Sequence, residues 1–285
     1  MQQNQRFALE QAIERNPLIV TPDTLLVEVI QLMSQGWVKS CHLEQNYSSS
    51  DENQVVSAHS SYALVMQDSQ IIGIFTERDM MQLLAAGRIL QETTIAEVMS
   101  QEIVTLKAAE VEDVFTVLSL TCDRNIRHLP IVDEQNQLLG IITPDGMRRA
   151  LHPTEWLRFR RVAEVMNTQV LHAPPTISVL DAIKLMVEHH ASCVVIVRGA
   201  MGMGHGALGI GDMNSPSPLI PIGILTERDI LQFQKLELNL ERTQIQTVMS
   251  SPLYLVNAEE SLWAVHQKMQ QYRVRRLVIA TKTGV

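Results

Sequence analysis

Gly73-Ile74-Phe75-Thr76-Glu77-Arg78-Asp79 returns later in the chain as Gly223-Ile224-Leu225-Thr226-Glu227-Arg228-Asp229. An apolar run (Ile71 to Phe75, Pro221 to Leu225) precedes each Thr, and a helix-like run (Met80 to Ala86, Ile230 to Leu236) follows it. Each stretch therefore reads as a strand end, a turn at Thr and a helix start. The Thr hydroxyl suits the first turn as a cap, and the Asp three residues on suits the positive end of the helix dipole. The same geometry makes an anion site, because free backbone N–H groups point outward beside a hydroxyl and an Arg. Two readings stand side by side: a capping box, and a grip on phosphate and ribose.

The rest of the chain repeats in step with this motif. Glycines recur at Gly73, Gly140 and Gly223, and methionines ending an Ala-Glu-Val-Met-like phrase recur at Met99, Met166 and Met249. Both series step by 67 and then by 83 residues. Each repeat opens with a short extended stretch (Leu18 to Thr21, Ile103 to Leu106, Val170 to Ala173, Leu253 to Val256), followed by an amphipathic helix such as that carrying Ile183, Met186 and Val187. A β-rich run comes next (Tyr62 to Met66, Leu129 to Val132, Cys193 to Val197, Arg276 to Ala280), then the Thr turn and second helix. The order is β-α-β-β-α, an α/β (α+β) architecture with helices on a small sheet. A unit of about 60 residues is marginal alone, so neighbouring units are expected to pair.

The expected organisation is a lead-in helix over 1–15, repeats over 16–92, 93–150, 162–240 and 241–285, and a linker over 151–161. A polar, Ser-rich insertion at 45–61 reads as a mobile loop. A second, at 198–218, holds six of the 13 glycines with Pro216 and Pro218, and also reads as a flexible loop. Its Gly204 to Gly209 stretch matches GxGxxG, but the residues after it do not start a helix, which a dinucleotide fold requires. The insertions recur in repeats one and three, which points to a duplicated pair. The basic cluster Arg158, Arg160 and Arg161 reads as a solvated face, and Trp156 as a packing residue of the linker. The fourth repeat stops at Val285 before its glycine, as a piece of a longer protein would, and an unpaired strand edge is expected near Leu277 to Ala280.

The chain has 285 residues, 46% hydrophobic and only 4% aromatic, so aliphatic side chains and Met must fill the core. A net charge of -8 argues against nucleic acid as the main partner. Cys41, Cys122 and Cys193 are widely spaced and odd in number, which suggests neither a disulfide framework nor zinc, and fits a reducing cytoplasm. The polar start lacks the apolar core of a signal peptide, and no apolar run approaches the roughly 18 residues of a membrane span. No His pair has metal-ligand spacing, and no nucleophile and base are paired. The chain itself therefore reads as a non-enzyme with no membrane insertion.

Four β-α-β-β-α units, two of them ending Gly-hydrophobic-x-Thr-x-x-Asp, resemble cystathionine-β-synthase (CBS) domains, which pair into Bateman modules. The resemblance implies two paired modules that bind adenosyl nucleotides, such as AMP, ADP or ATP, between their units. It implies phosphate contacts from the Thr and ribose contacts from the Asp. Carried over, Thr76, Arg78 and Asp79 form the first grip and Thr226, Arg228 and Asp229 the second. Arg127 and His128 match the family's basic position in unit two, and Arg275 and Arg276 match it in unit four. The corresponding places in the odd units are assigned to Ser40-Cys41 and Ser192-Cys193, which bring no charge. In repeat two, Gly140-Ile141-Ile142-Thr143-Pro144-Asp145-Gly146 departs from the pattern: Gly146 stands at the ribose position, so this cleft is expected to be empty or weak.

The resemblance implies a cytoplasmic, homodimeric sensor with no required cofactor. An adenine nucleotide would be its regulatory ligand, and a covalently linked output domain would lie beyond Val285. The competing expectation is a ligand-independent dimerisation module of a larger signalling protein or transporter.

Overall fold

The computed structural model describes residues 10, 12–35, 60–111, 114–150, 155–199, 209–212 and 219–279. In chain order the elements are β1 (Ile13–Glu14), β2 (Ile19–Val20), α1 (Leu26–Met33), β3 (Tyr62–Gln67), β4 (Gln70–Thr76) and α2 (Glu77–Ala85). There follow β5 (Leu106–Lys107), α3 (Val114–Asp123), β6 (Leu129–Val132), β7 (Leu138–Ile142) and α4 (Pro144–Ala150). Then come β8 (Gln169–Ala173), α5 (Val179–Glu188), β9 (Cys193–Gly199), β10 (Gly209–Asp212), β11 (Leu219–Thr226), α6 (Glu227–Lys235), β12 (Leu255–Val256), α7 (Leu262–Tyr272) and β13 (Val278–Ile279). The described chain divides into two compact units. One holds 12–35, 60–79, 89–111 and 114–150; the other holds 80–88, 155–199, 209–212 and 219–279. Among the described residues no helix is long and apolar enough to cross a membrane.

The expected β-α-β-β-α order is present, and local chemistry explains it. In α1 the apolar residues Leu26, Val29, Ile30 and Met33 fall on one face and are all buried. Helix α5 starts where Ser178 Oγ accepts from Asp181 N–H at 3.0 Å, and α7 where Ser261 Oγ accepts from Ala264 N–H at 3.2 Å. Strands β3 and β4 form an antiparallel hairpin with Tyr62 opposite Thr76 and Gln67 opposite Gln70. Its two turn residues, Asp68 and Ser69, both have positive φ (49° and 64°), the conformation a two-residue hairpin needs to follow the strand twist. In the second unit β9 and β11 pair in the matching register, Cys193 opposite Thr226.

The first unit contains two sheets, β1-β7-β6-β5 and β2-β3-β4. Tyr62 and Leu64 of β3 pack with Ile141 of β7, which joins the two repeats through one apolar cluster. The second unit contains the sheet β10-β8-β9-β11 and the pair β12-β13. There Val195 and Val197 of β9 pack with Val278 of β13.

Repeats in a pair exchange their opening segments. The phrase containing Ile95 closes repeat one: Ile95 N–H donates to Thr24 C=O at 2.9 Å, and Ile74 and Ser100 exchange two backbone bonds. Ile245 N–H donates to Ile177 C=O at 2.9 Å in the same way, closing repeat three. Val162 N–H donates to Glu260 C=O at 3.0 Å and so closes repeat four, while β1 pairs with β7 and closes repeat two. This accounts for the two recurring landmarks. A Cβ on Gly73 would lie 2.1 Å from Met99 Sδ, and one on Gly223 would lie 2.2 Å from Met249 Sδ. Gly140 faces Ile13 of β1, and Met166 packs in the cluster of Val162, Val256 and Val265.

Several expectations are corrected. The lead-in ends in a strand, because Ile13 and Glu14 complete the edge of the repeat-two sheet. Within the second insertion, Gly209–Asp212 forms β10, antiparallel to β8, and β9 runs on to Gly199, so the backbone there is satisfied by sheet pairing. The rest of the GxGxxG stretch lies outside the described residues. So does most of the first insertion, but its last residues, Ser60 and Ser61, are held: Ser60 N–H donates to Met33 C=O. The side chain of Trp156 and all of Ser40 and Cys41 are outside the described residues. The basic cluster is exposed and ion-paired, Arg160 with Glu164 and Arg161 with Glu259, while Arg158 covers the Trp263 ring at 4.9 Å. Among the described residues β13 pairs only with β12.

Candidate functional site

The register of β3 against β4 brings Thr76 to the end of the hairpin, where Glu77 N–H donates to Ser61 C=O at 3.2 Å and α2 begins. Asp79, three residues on, turns back: its Oδ2 accepts from both Thr76 N–H and Thr76 Oγ1–H, each at 2.8 Å. The second unit repeats this geometry. Asp229 Oδ2 accepts from Thr226 N–H and Oγ1–H at 2.8 Å each, and Glu227 N–H donates to Ser192 C=O at 3.2 Å. In both complete repeats Thr and Asp thus form a capping box. Arg78 and Arg228 are half-buried and exert their charge on the neighbouring carboxylate.

Burial is the leading influence on both carboxyls and raises them above the ordinary carboxylate value. The Thr76 bonds, Arg78 and Ser100 oppose it at Asp79; the Thr226 bonds, Arg228 and Arg276 oppose it at Asp229. Glu77 and Glu227 are both buried at the first turn of their helices, where the helix dipole favours an anion.

The partner repeat contributes one nitrogen side chain to the serine that precedes the strand facing each Thr, and the two differ. In the first unit His128, just before β6, shares a hydrogen bond between Nε2 and Ser61 Oγ at 2.8 Å. Its ring lies 5.1 Å from that of Tyr62. Burial holds the imidazole down at about 4; Glu77 pulls it up and Arg127 pushes it further down. His128 is therefore neutral near pH 7. In the second unit Arg276 Nη2 donates to Ser192 Oγ at 2.8 Å, and its charge acts on Asp229 and on Cys193. Burial still leaves the Cys193 thiol raised. Arg127 and Arg275 are half-buried, each one residue earlier in the chain.

The structural counterpart of Ser192-Cys193 is Ser61-Tyr62, not Ser40-Cys41. Each pair immediately precedes or opens the strand that faces the Thr, and each Ser carbonyl receives the N–H of the following Glu. The insertion hides this in the sequence, because it changes the count between Ser and Thr from one repeat to the other. Tyr62 is fully buried, and burial together with the Glu14 carboxylate pushes its phenol far up. In repeat two the grip is absent for a steric reason. Gly146 N–H reaches Thr143 Oγ1 at 3.1 Å, but a Cβ on Gly146 would lie 2.3 Å from Ala12 C=O, so no carboxylate can stand there. Two cavities of the first unit, of about 500 and 270 Å³, open elsewhere, around Thr21, Asp23 and Gln67, and around Arg15, Ser69 and Gln137; neither is lined by Thr76 or Asp79.

Exchanged β-α-β-β-α repeats with a Thr-x-x-Asp box at a helix N-terminus define a tandem-repeat α/β module. The family model of the CBS domain matches residues 9–86, 95–153, 162–204 and 245–285, and the chain belongs to this family. An uncharacterized protein of Methanopyrus kandleri is 36% identical over 84 residues, 29% of this chain and 42% of that protein. Another, of Methanocaldococcus jannaschii, is 24% identical over 149 residues, 48% of this chain and 35% of that protein. The chain thus spans less than half the length of these two relatives. A solved Methanocaldococcus jannaschii structure, of a protein proposed as an archaeal homolog of g-AMPK, superposes with a TM-score of 0.70 at 15% identity. That match covers 96% of this chain and 93% of the other, and it speaks for the fold.

Proposed function

We propose that the chain is a regulatory CBS module in which each unit binds one adenosyl ligand, such as an adenine nucleotide, at its complete Thr-x-x-Asp repeat. The observation that carries this reading is the pair of carboxylates, Asp79 half-buried and Asp229 buried, set at helix N-termini beside a Thr hydroxyl and an Arg. A carboxylate accepts two sugar hydroxyls, and a hydroxyl with helix N–H groups receives phosphate oxygens. Binding would redirect the Thr hydroxyl from the Asp to the ligand, exchanging one hydrogen bond for another at small net cost. Through the shared apolar clusters the ligand would alter how paired repeats pack, and a linked output domain would read that change. We take the working form to be a cytoplasmic homodimer.

A thermal-shift scan of the whole chain against AMP, ADP, ATP and S-adenosylmethionine, with guanine nucleotides as controls, tests this. At a ligand concentration of about 100 times Kd the expected stabilisation is about 2.7 kcal/mol, a rise of several degrees. A flat response to every adenosyl compound at millimolar concentration contradicts it. A second reading, a ligand-independent dimerisation module, is favoured by one observation: Thr and Asp satisfy each other as helix caps in both boxes.

A further inference from the structure

The two boxes are near copies, which makes a difference in charge between them, seen among the described residues, informative. Thr76, Glu77, Arg78 and Asp79 match Thr226, Glu227, Arg228 and Asp229 residue for residue. Arg127 matches Arg275 one place before the variable position. These residue types are common to both sites. What remains is His128 against Arg276, each bonded to the serine that precedes the strand facing the Thr, at the same 2.8 Å. Behind that serine stands Tyr62 in one unit and Cys193 in the other.

We infer that the sites divide their ligands by charge: the second unit takes adenosine bearing a phosphate, and the first takes an adenosyl compound without one, such as the nucleoside or its 5′-thioether. This rests on the reading of both boxes as adenosyl grips. Arg276 has five N–H donors in a fixed fork, and Ser192 engages one nitrogen of that fork, so the guanidinium can answer Asp229 and also reach a phosphate. His128 spends Nε2 on Ser61, and its ring is packed against Tyr62, so it has neither a fork nor a fixed charge to offer. Protonating it near pH 7 to meet a phosphate works against its burial and against Arg127, and only Glu77 assists. Removing one charge-assisted phosphate contact changes affinity by roughly tenfold to a hundredfold.

The test is calorimetric titration of the full chain with AMP and with adenosine. Asp229→Asn isolates the first site and Asp79→Asn the second. The second site should prefer AMP over adenosine by about tenfold or more, and the first should show no preference for AMP. Arg276→His should abolish the AMP preference of the second site, and Arg276→Lys should retain part of it, which separates charge from packing. Because His128→Arg places a larger side chain in a tight position, the Arg276 series carries the decision by itself. Equal AMP-to-adenosine ratios at the two sites, or an Arg276→His variant with unchanged AMP affinity, overturn the division of ligands while leaving the adenosyl reading intact. Failure of the unsubstituted chain to bind either compound overturns both.

Discussion

Asp79 and Asp229 each serve two purposes that a single-atom change separates. Asn keeps a carbonyl oxygen for Thr N–H and Oγ1–H but buries no charge, so the cap survives. Asp79→Asn and Asp229→Asn are expected to change stability near pH 7 by no more than about 1 kcal/mol, measured by urea unfolding. The same variants should weaken adenosyl binding at their own site by roughly tenfold to a hundredfold. A carboxyl raised on folding contributes stability that is present below its ordinary value of 3.8 and lost as pH rises through the folded value. His128 runs the other way. The unfolded chain takes up the proton near 6.5 and the folded chain only near 4, so acid draws the molecule towards unfolding. Unfolding measured between pH 6.5 and 4 should show a loss of up to about 3 kcal/mol that is missing in His128→Gln. An identical pH slope in that variant would show that His128 is solvated.

At the scale of elements, the exchanged opening segments hold the repeats closed. Gly73→Ala should destabilise the fold by about 1–3 kcal/mol, because its Cβ meets Met99 Sδ at 2.1 Å, and Met99→Ala in the same chain should relieve part of that loss. Additive effects in the double variant would mean that the two residues do not touch. Gly146→Asp should damage repeat two instead of building a third grip, since its Cβ meets a backbone carbonyl that cannot step aside. These contacts also show what the sequence makes legible. The even spacing of Gly73 with Met99 and Gly223 with Met249 is a real contact written as periodicity. At Gly140 the close neighbour is Ile13 of β1, because pairing exchanges segments between repeats and the spacing does not say with which neighbour. The Thr-x-x-Asp boxes are readable because a cap is local. Ser61, Tyr62 and the neutrality of His128 are not, because they depend on a hairpin register behind an insertion and on burial by distant strands. Strand β10 is hidden for a related reason: a Gly-rich stretch reads as loop until an edge strand, here β8, offers it a partner.

For the molecule as a whole, the account predicts two ligand sites per chain, one in each compact unit, at the two repeats with a complete box. Repeat two is closed by Ala12 over Gly146 and should contribute none. The most direct measurement is calorimetric stoichiometry of the full chain with adenosyl ligands, phosphorylated and unphosphorylated, in the unsubstituted form, the two single Asp→Asn variants and the double variant. Two full-affinity sites in the unsubstituted chain, one in each single variant and none in the folded double variant are the expected result. Undiminished binding in the double variant would place the ligand elsewhere, and no binding in the unsubstituted chain would leave the Thr-x-x-Asp boxes as helix caps alone.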